Sequence, residues 1–502
     1  MEIQQSLQQL DALQRKMQAY NHAIGLIDYD GATSAPSGAA ANRAETLALL
    51  SEESYKLSTC AETAALLDFL FARRDELSPV QRKIVKNMHE DMEDMRRVPM
   101  DEYVEYQRLN AQSQDAWHRA KETDDYALFM PYLEKMIAAN KRLMAYIKPD
   151  LPTYDALLDR FEKGLTRQRC DAFFDTLRRE LVPLIHAVSA VPQVDDSPLF
   201  GHFPLEAQRR LSDYLMEVMG LDRAHVGIAE TEHPFTTAFT KYDVRITTHY
   251  HEENFSYSMY SVIHEGGHAL YDAHPADELA YTVLGGGVSM SIHESQSRFY
   301  ENIIGRSRGY IRLIAPKLRE LFPSLAEVGD EALYRAVNKA APSLIRTEAD
   351  ELTYCLHILI RYELEQKLFD GQLSVEALPA EWNRLYREYL GIEPANNREG
   401  VLQDMHWSGG LFGYFPSYAL GSAYGAQMLH VMKQTVDVDA ALQSGDLRPI
   451  NAWLEEHIWK YGGLHDPGEL LDMALGAPFD PMYYVRYLKE KYGEIYGLQQ
   501  SI

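Results

Sequence analysis

Residues 258–272 read S-M-Y-S-V-I-H-E-G-G-H-A-L-Y-D and contain the pattern H-E-x-x-H at His264, Glu265 and His268. The apolar residues of this stretch predict a buried helix. Because residues four apart lie one turn above each other on a helix, both imidazoles can bind the same metal ion. Glu265 would stand beside the ion, where a general base can take a proton from a metal-activated water. Asp272, one turn further along that face, could accept a hydrogen bond from the free ring nitrogen of His268.

The pattern also occurs by chance in chains of this length, so two histidines packed in a core are the structural alternative. Gly266 and Gly267 weigh against that alternative. Each glycine costs about 1 kcal/mol relative to alanine inside a helix. We therefore expect backbone from another element, or a substrate, to pack closely against this turn.

A catalytic zinc site commonly uses three protein ligands and leaves a fourth position for water. Residues 285–302 open with three glycines and continue with apolar residues at helical spacing. This predicted helix carries Glu294, which a glutamate-liganded zinc peptidase would use, and His293 as the competing ligand. Arg298, one turn after Glu294, could pair with that carboxylate or be a solvated helix charge.

The composition is that of a large globular protein, with 502 residues, 46% hydrophobic and 25% charged. No stretch reads as a linker, so we expect one domain over residues 1–502. The formal net charge of −25 argues against nucleic acid or an anionic membrane as a partner.

The cysteines and the N-terminal residues bear on the compartment. Cys60, Cys170 and Cys355 are widely spaced and fit a reducing cytoplasm. The first residues show no basic segment followed by an apolar run, so we expect no secretory signal. No stretch approaches the ~18 apolar residues of a membrane span. These features favour a cytoplasmic protein.

The first half of the chain reads as almost continuous helix, beginning with an apolar stripe at Ile3, Leu7, Leu10, Leu13 and Met17. Stripes of this kind usually form core faces. We assign no chemistry to them.

The convincing β signal lies at residues 233–250, between His233 and the metal helix, with a turn near residues 241–243. In a strand, Asp243 and Arg245 would share one polar face. An edge strand here could bind an extended peptide by backbone pairing. A solvated face of a small sheet is the alternative.

Two later segments carry further candidates. Residues 345–365 predict a long helix with Arg346 on its polar face, where a guanidinium could hold a peptide's terminal carboxylate or form a salt bridge between helices. Residues 403–427 are rich in glycine and predict a loop. Their side chains that could contact a substrate or donate to a developing oxyanion are His406, Tyr414 and Tyr418.

Five motifs occur in series along the chain. They are H-P-F at 233–235, D-V-R-I-T at 243–247, H-E-G-G-H at 264–268, H-E-S-Q at 293–296 and V-L-Q-D-M-H-W at 401–407. Their order and approximate spacing resemble those of the carboxypeptidase Taq family of zinc metallocarboxypeptidases. One departure is visible at Tyr29-Asp30, where the family tends to carry Trp-Asp.

The resemblance implies a mainly α, two-lobed fold similar to the neurolysin and angiotensin-converting-enzyme peptidases, with a deep groove and a small β-sheet beside the metal helix. It also implies a broad-specificity carboxypeptidase that hydrolyses the C-terminal peptide bond of peptides, uses Zn²⁺ or Co²⁺ and forms a homodimer. An oligopeptidase or dipeptidyl carboxypeptidase on the same fold is the nearer alternative. A non-catalytic helical binding protein is the more distant one.

Carried over to this sequence, the resemblance makes His264, His268 and Glu294 the metal ligands and Glu265 the general base. It does not decide which side chain meets the terminal carboxylate and which meets the oxyanion. The candidates for these two roles are His233, Asp243, Arg245, Arg346, His406, Tyr414 and Tyr418.

Overall fold

The computed structural model describes residues 2–498, which contain twenty α-helices and one three-stranded sheet. The helices are α1 (Ile3–Thr33), α2 (Ala40–Thr59), α3 (Ala61–Phe71), α4 (Pro79–Arg97), α5 (Met100–Thr123), α6 (Tyr126–Ile147), α7 (Thr153–Phe161), α8 (Arg167–Ser189), α9 (Leu205–Met219), α10 (Phe255–Ala273), α11 (Met290–Arg298), α12 (Arg308–Leu321), α13 (Asp330–Val337), α14 (Tyr354–Phe369), α15 (Leu378–Leu390), α16 (Pro416–Met432), α17 (Val438–Ser444), α18 (Arg448–His457), α19 (Pro467–Leu475) and α20 (Met482–Tyr496). The strands are β1 (Val226–Glu230), β2 (Thr236–Thr240) and β3 (Asp243–Thr248). None of these helices is both long enough and apolar enough to cross a membrane.

The sheet packs against α10, in the order β1-β3-β2, with β3 parallel to β1 and antiparallel to β2. The predicted hairpin is therefore confirmed as β2 and β3. β3 is the central strand, however, so the expectation of an edge strand is wrong for residues 243–247 and holds only for β2. β1 was missed because V-G-I-A-E is short and contains a glycine, which weakens the strand pattern.

Two separate hydrophobic cores organise the helices. The larger core takes in the sheet and buried residues from α5 through α20. The smaller core joins α1, α3 and α4 to Leu279 and Leu284, which lie in the segment between α10 and α11. Leu10 and Leu13 of the predicted N-terminal stripe are buried in the smaller core, which confirms that stripe as a core face.

The helix of the H-E-x-x-H pattern is α10, and it begins where the Asn254 side chain accepts a hydrogen bond from the Ser256 N–H. Its glycines allow close packing, as expected. A Cβ at Gly267 would lie 2.6 Å from the Gln296 carbonyl oxygen and 2.7 Å from the Ser297 Cα. α10 and α11 therefore approach backbone to backbone at this point.

The glycine-rich segment 403–427 is not a loop throughout, because α16 begins at Pro416. Its glycines serve packing between helices. A Cβ at Gly421 would meet the Glu294 side chain at 2.7 Å, so α16 lies directly against α11. The prediction failed because glycine density is shared by loops and by tightly packed helices.

The long helix predicted over residues 345–365 begins only at Tyr354. A short 3₁₀ turn at Arg346–Glu348 precedes it. Asp350 accepts hydrogen bonds from the backbone N–H groups of Leu352 and Thr353. Local side-chain bonds of this kind compete with helical pairing, which accounts for the late start.

We expect Gly267→Ala to lower the stability of the metal-free protein by about 1–3 kcal/mol, the usual cost of overpacking a core. The added methyl group would press on backbone atoms of α11, which cannot rotate away. Gly493→Ala in α20 is the matched control, because nothing lies within 4 Å of its Cβ position. The stability of the control variant should rise by up to about 1 kcal/mol, because alanine has a higher helix propensity than glycine. Thermal unfolding midpoints check both, and a midpoint for Gly267→Ala at or above that of the wild type would contradict the packing argument.

Candidate metal centre

Three side chains converge at the contact between α10 and α11. The Nε2 atoms of His264 and His268 lie 3.9 and 3.7 Å from Oε2 of Glu294, and the three ligand atoms all lie within 4.8 Å of one another. A tetrahedral ion with bonds of about 2.0–2.2 Å separates its ligand atoms by roughly 3.3–3.6 Å. Two imidazoles and one carboxylate are also a common donor set for catalytic zinc. The residues present therefore fit a zinc-type ion.

The local sequence explains how each ligand is placed. His264 and His268 are one turn apart on α10, and their ring centroids are 5.0 Å apart. α11 begins where the Ser289 side chain accepts a hydrogen bond from the Ile292 N–H, and this start brings Glu294 to face α10. The absence of a side chain at Gly421 leaves room for the Glu294 methylene groups.

The Nδ1 atoms of the two histidines are bound differently. His264 Nδ1 lies 2.8 Å from Glu301 Oε2. His268 Nδ1 lies 2.6 Å from His293 Nδ1, and His293 Nε2 lies 3.0 Å from Asp272 Oδ1. The predicted direct bond from Asp272 to His268 is therefore wrong, because the His293 ring lies between them. For the same reason His293 does not face the ligand cluster as a competing third ligand.

Glu301 was missed from the sequence. It lies in the π-helical segment Phe299–Ile304 that continues α11, seven residues after Glu294. That spacing places both carboxylates on one face of a continuous helix and could have identified Glu301.

Arg298 lies between these carboxylates, with Nε 2.8 Å from Glu294 Oε1 and Nη1 3.1 Å from Glu301 Oε2. Of the two readings of Arg298, the ion pair is confirmed. Burial opposes ionisation of Glu301, but Arg298 and His264 hold the pKa of its carboxyl group well below the usual range. The Glu301 carboxylate therefore stays ionised beside the ligand cluster.

Glu265 is buried beside the three ligands. Its Oε2 accepts a hydrogen bond from Thr236 Oγ1 on β2, at 2.6 Å. Burial raises the pKa of the Glu265 carboxyl, although the neighbouring His264 and this hydrogen bond oppose the shift. A carboxylate with a raised pKa is suited to accept a proton near neutral pH.

A cavity of about 650 Å³ opens beside these side chains. It is lined by the ligands His264 and Glu294, by Glu265, and by the predicted candidates Arg346 and Tyr418. These predicted residues are far apart in the chain but line the same cavity.

Arg346 shares the carboxylate of Asp404 with Arg361. Arg346 Nη2 lies 2.9 Å from Asp404 Oδ1, and Arg361 Nε lies 2.6 Å from Oδ2. The salt bridge expected as one reading of Arg346 is therefore present, and Arg346 also lines the cavity, as the reading of a carboxylate-binding residue requires. Among the ion pairs of residues 2–498, Asp404 is the carboxylate that both guanidinium groups contact within 4 Å.

His406, Tyr414 and Tyr418 form an aromatic cluster near Arg346. His406 Nε2 lies 3.3 Å from the Tyr418 hydroxyl oxygen, and the rings of Tyr414 and Tyr418 are 5.2 Å apart. Burial lowers the pKa of His406 to about 4, with Asp404 opposing the shift, so its imidazole is neutral at neutral pH. Tyr418 lines the cavity next to His264, whereas His406 and Tyr414 lie behind it and are not among the lining residues.

The remaining three candidates lie elsewhere. His233 is exposed in the connection between β1 and β2. Asp243 and Arg245 pair with each other through two hydrogen bonds of 2.9 and 3.0 Å. The Arg245 guanidinium also lies over the Tyr29 ring, 5.1 Å from its centroid. None of the three lines the cavity next to His264.

Comparison with known proteins identifies a family for this chain. A family model described as "Carboxypeptidase Taq (M32) metallopeptidase" matches residues 9–492. The chain belongs to the carboxypeptidase Taq family. The resemblance read from the five motifs is thereby confirmed.

Individual relatives support the assignment to the carboxypeptidase Taq family. Carboxypeptidase 1 of Bacillus subtilis is 40% identical over 501 residues, which are 99% of this chain and 100% of that protein. The crystal structure of the M32 carboxypeptidase from Deinococcus radiodurans has a TM-score of 0.96 at 35% identity and covers 98% of this chain and 100% of that one. Metallocarboxypeptidase 1 of Trypanosoma cruzi has a TM-score of 0.92 at 32% identity, covering 97% and 99% of the two chains.

As a member of this family, the chain is a metallocarboxypeptidase and hence a peptide hydrolase. Its mainly helical architecture with a small sheet is that of the family's solved structures. A divalent metal ion is implied, and His264, His268 and Glu294 form a cluster whose geometry fits one.

Proposed function

We propose that this carboxypeptidase Taq family member is a zinc enzyme that removes the C-terminal residue from peptides of broad sequence. The observation that carries the proposal is one cavity lined by two members of a three-donor metal-type cluster, by the buried carboxylate of Glu265, and by the Arg346 guanidinium, which shares its carboxylate partner Asp404 with Arg361. The donors and Glu265 suit hydrolysis of an amide. The guanidinium suits a substrate that ends in a carboxylate.

In this proposal His264, His268 and Glu294 hold the ion. A zinc ion supplies Lewis acidity there, which lowers the pKa of water and polarises a carbonyl group. Glu265 accepts the proton that the attacking water loses and later passes it to the nitrogen of the departing amino acid. Thr236, on the strand next to α10, holds the Glu265 carboxylate in position through its hydroxyl group.

Two groups of side chains would orient the peptide. Arg346 binds the terminal carboxylate of the substrate, and Asp404 fixes the direction of its guanidinium. Tyr418 is a neutral hydrogen-bond donor on the cavity wall, and we assign its hydroxyl to the oxygen that gains negative charge. His406 would hold that hydroxyl in position, since its Nε2 lies 3.3 Å from the Tyr418 oxygen. Tyr414 packs against Tyr418 and supports that donor.

Further parts of the proposal rest on the family resemblance and, for the single domain, the cytoplasmic location and the absence of a nucleic-acid partner, on the sequence. The native ion is Zn²⁺, and Co²⁺ can replace it. The chain acts as one catalytic domain over residues 1–502, in the cytoplasm, as a homodimer. The cavity next to His264 is part of a deep groove between two lobes, as in the neurolysin and angiotensin-converting-enzyme peptidases. The formal net charge of −25 disfavours nucleic acid as a partner.

The test is mass spectrometry of an N-terminally blocked peptide incubated with the purified protein. We expect stepwise loss of single C-terminal residues, an end to cleavage after a chelator is added, and recovery when zinc or cobalt is restored. Loss of dipeptides or internal cleavage would overturn the single-residue specificity and favour the dipeptidyl carboxypeptidase or the oligopeptidase. Cleavage that persists after the chelator has removed all bound metal would overturn the metal-dependent mechanism.

A further inference from the structure

We propose that His293 is a positioning residue for the metal centre, holding the His268 ring in the tautomer and orientation that present Nε2 to the ion. The inference rests on the proposed metal centre and deepens it. His293 does not contact the ion in this arrangement. It acts through His268 alone.

The order of hydrogen-bond donors fixes the tautomer of His268. His268 Nε2 faces Glu294 Oε2, so Nε2 is the atom that offers a lone pair to the ion. A neutral imidazole that gives up Nε2 carries its proton on Nδ1. His268 Nδ1–H therefore donates to His293 Nδ1, 2.6 Å away.

The same order of donors fixes the tautomer of His293. Its Nδ1 accepts from His268, so its proton is on Nε2, which donates to Asp272 Oδ1 at 3.0 Å. The chain of donors thus runs from His268 through His293 to Asp272, and each ring has one tautomer. If His293 held its proton on Nδ1, the two Nδ1–H groups would point at each other across 2.6 Å.

The His293 ring is also held in place by tight packing against Tyr271 and the backbone at Gly287. Its centroid lies 5.1 Å from that of Tyr271, and the Tyr271 hydroxyl oxygen accepts a hydrogen bond from the Val288 N–H at 3.2 Å. Gly287, just before Val288, leaves the ring its space, because a Cβ there would lie 2.5 Å from His293 Cδ2 and 2.8 Å from Tyr271 Cε1. The glycine run that opens residues 285–302 is therefore part of the support for this ring.

The two ligand histidines contrast in this respect. His264 donates directly to a carboxylate, at Glu301, whereas His268 reaches the carboxylate of Asp272 only through a second imidazole. Groups that orient metal ligands commonly change metal affinity by about 10–100-fold when they are removed. His293 should belong to that class.

The experiment is competition for Zn²⁺ between a chromogenic chelator and the full-length protein, with the thermal unfolding midpoint of each metal-free variant measured in parallel. His293→Phe keeps a ring but loses both nitrogens, and we expect zinc to bind about 10–100-fold more weakly. His293→Gln retains one acceptor and one donor and should recover part of that loss. Gly287→Ala should weaken zinc binding without removing any polar group. Gly286→Ala is its matched control and should bind like the wild type, because nothing lies within 4 Å of its Cβ position.

A purely structural role would move the unfolding midpoints but leave zinc affinity within threefold of the wild type in His293→Phe and Gly287→Ala, and that result would overturn the inference. Should His293→Phe fail to fold, His293→Gln and Gly287→Ala decide the question by the same criterion. Failure of the wild-type protein itself to bind stoichiometric zinc would overturn the metal centre and this inference together.

Discussion

Replacing Glu265 by Gln should leave zinc bound and lower kcat by about 10³–10⁴-fold, at the upper end of what general acid–base catalysis contributes. Glutamine keeps the size of the side chain and can still accept the hydrogen bond from Thr236, so the packing of α10 against β2 should persist. It cannot take up a proton from water. Zinc content by elemental analysis and steady-state kinetics on a free-carboxylate peptide measure the two effects.

Glu348→Gln is the matched control for the Glu265 prediction. Glu348 is an exposed carboxylate that lines the same cavity, so its removal changes the local charge by the same amount. We expect less than a threefold change in kcat. A Glu265→Gln variant that keeps its zinc and turns over at a near-normal rate would remove the general-base assignment.

Replacing Arg346 by Met should lower kcat/KM by about 10²-fold for peptides with a free terminal carboxylate, the size expected for a hydrogen bond to a charged group. Asp404 would keep its ion pair with Arg361, so no buried charge is left unpaired. The same peptide with an amidated C-terminus is already a poor substrate in this scheme and should lose little. The decisive quantity is therefore the ratio of kcat/KM for the free-carboxylate peptide (acid) to kcat/KM for the amidated peptide (amide). This acid-to-amide ratio should fall towards one in Arg346→Met.

Two further variants sharpen the Arg346 test. Arg346→Lys keeps the charge but not the paired N–H groups, so the acid-to-amide ratio should fall between those of the wild type and Arg346→Met. Thr347→Ala changes the next residue on the cavity wall and should leave the ratio unchanged. Equal losses for acid and amide in Arg346→Met would show that Arg346 serves the fold rather than the terminal carboxylate.

The proposed ligands could be located from the sequence because their placement is encoded locally, although only the family resemblance preferred Glu294 over His293. His264 and His268 are one helical turn apart, and Glu294 lies on the next helix, so two short patterns contain the triangle. The close backbone approach at Gly267 was likewise readable from the cost of glycine in a helix. The hairpin before α10 followed from strand-forming residues around a turn.

The misplaced partner of Asp272 and the misread glycines of α16 concern contacts between segments that are distant in sequence, whereas the late start of α14 has a local cause. The ring of His293 displaced Asp272 from its expected partner because α11 crosses α10 at that level, and nothing in either helix alone reveals the crossing. The late start of α14 depends on Asp350 binding nearby N–H groups, which competes with the helical pattern. The glycines of α16 could be distinguished from loop glycines only once Gly421 was seen against Glu294.

The smaller hydrophobic core has a consequence for how the molecule opens. Cores with few buried contacts unfold locally at lower free energy than the rest of a protein. Here that unit comprises α1, α3 and α4. Residues 279–287 connect it to the metal centre, because Leu279 and Leu284 are buried in the smaller core and Gly287 packs against His293. Partial unfolding of the N-terminal helices would release that segment, and with it the clamp on the His293 ring. Zinc affinity would then depend partly on the stability of α1, α3 and α4, which contribute no ligand to the ion.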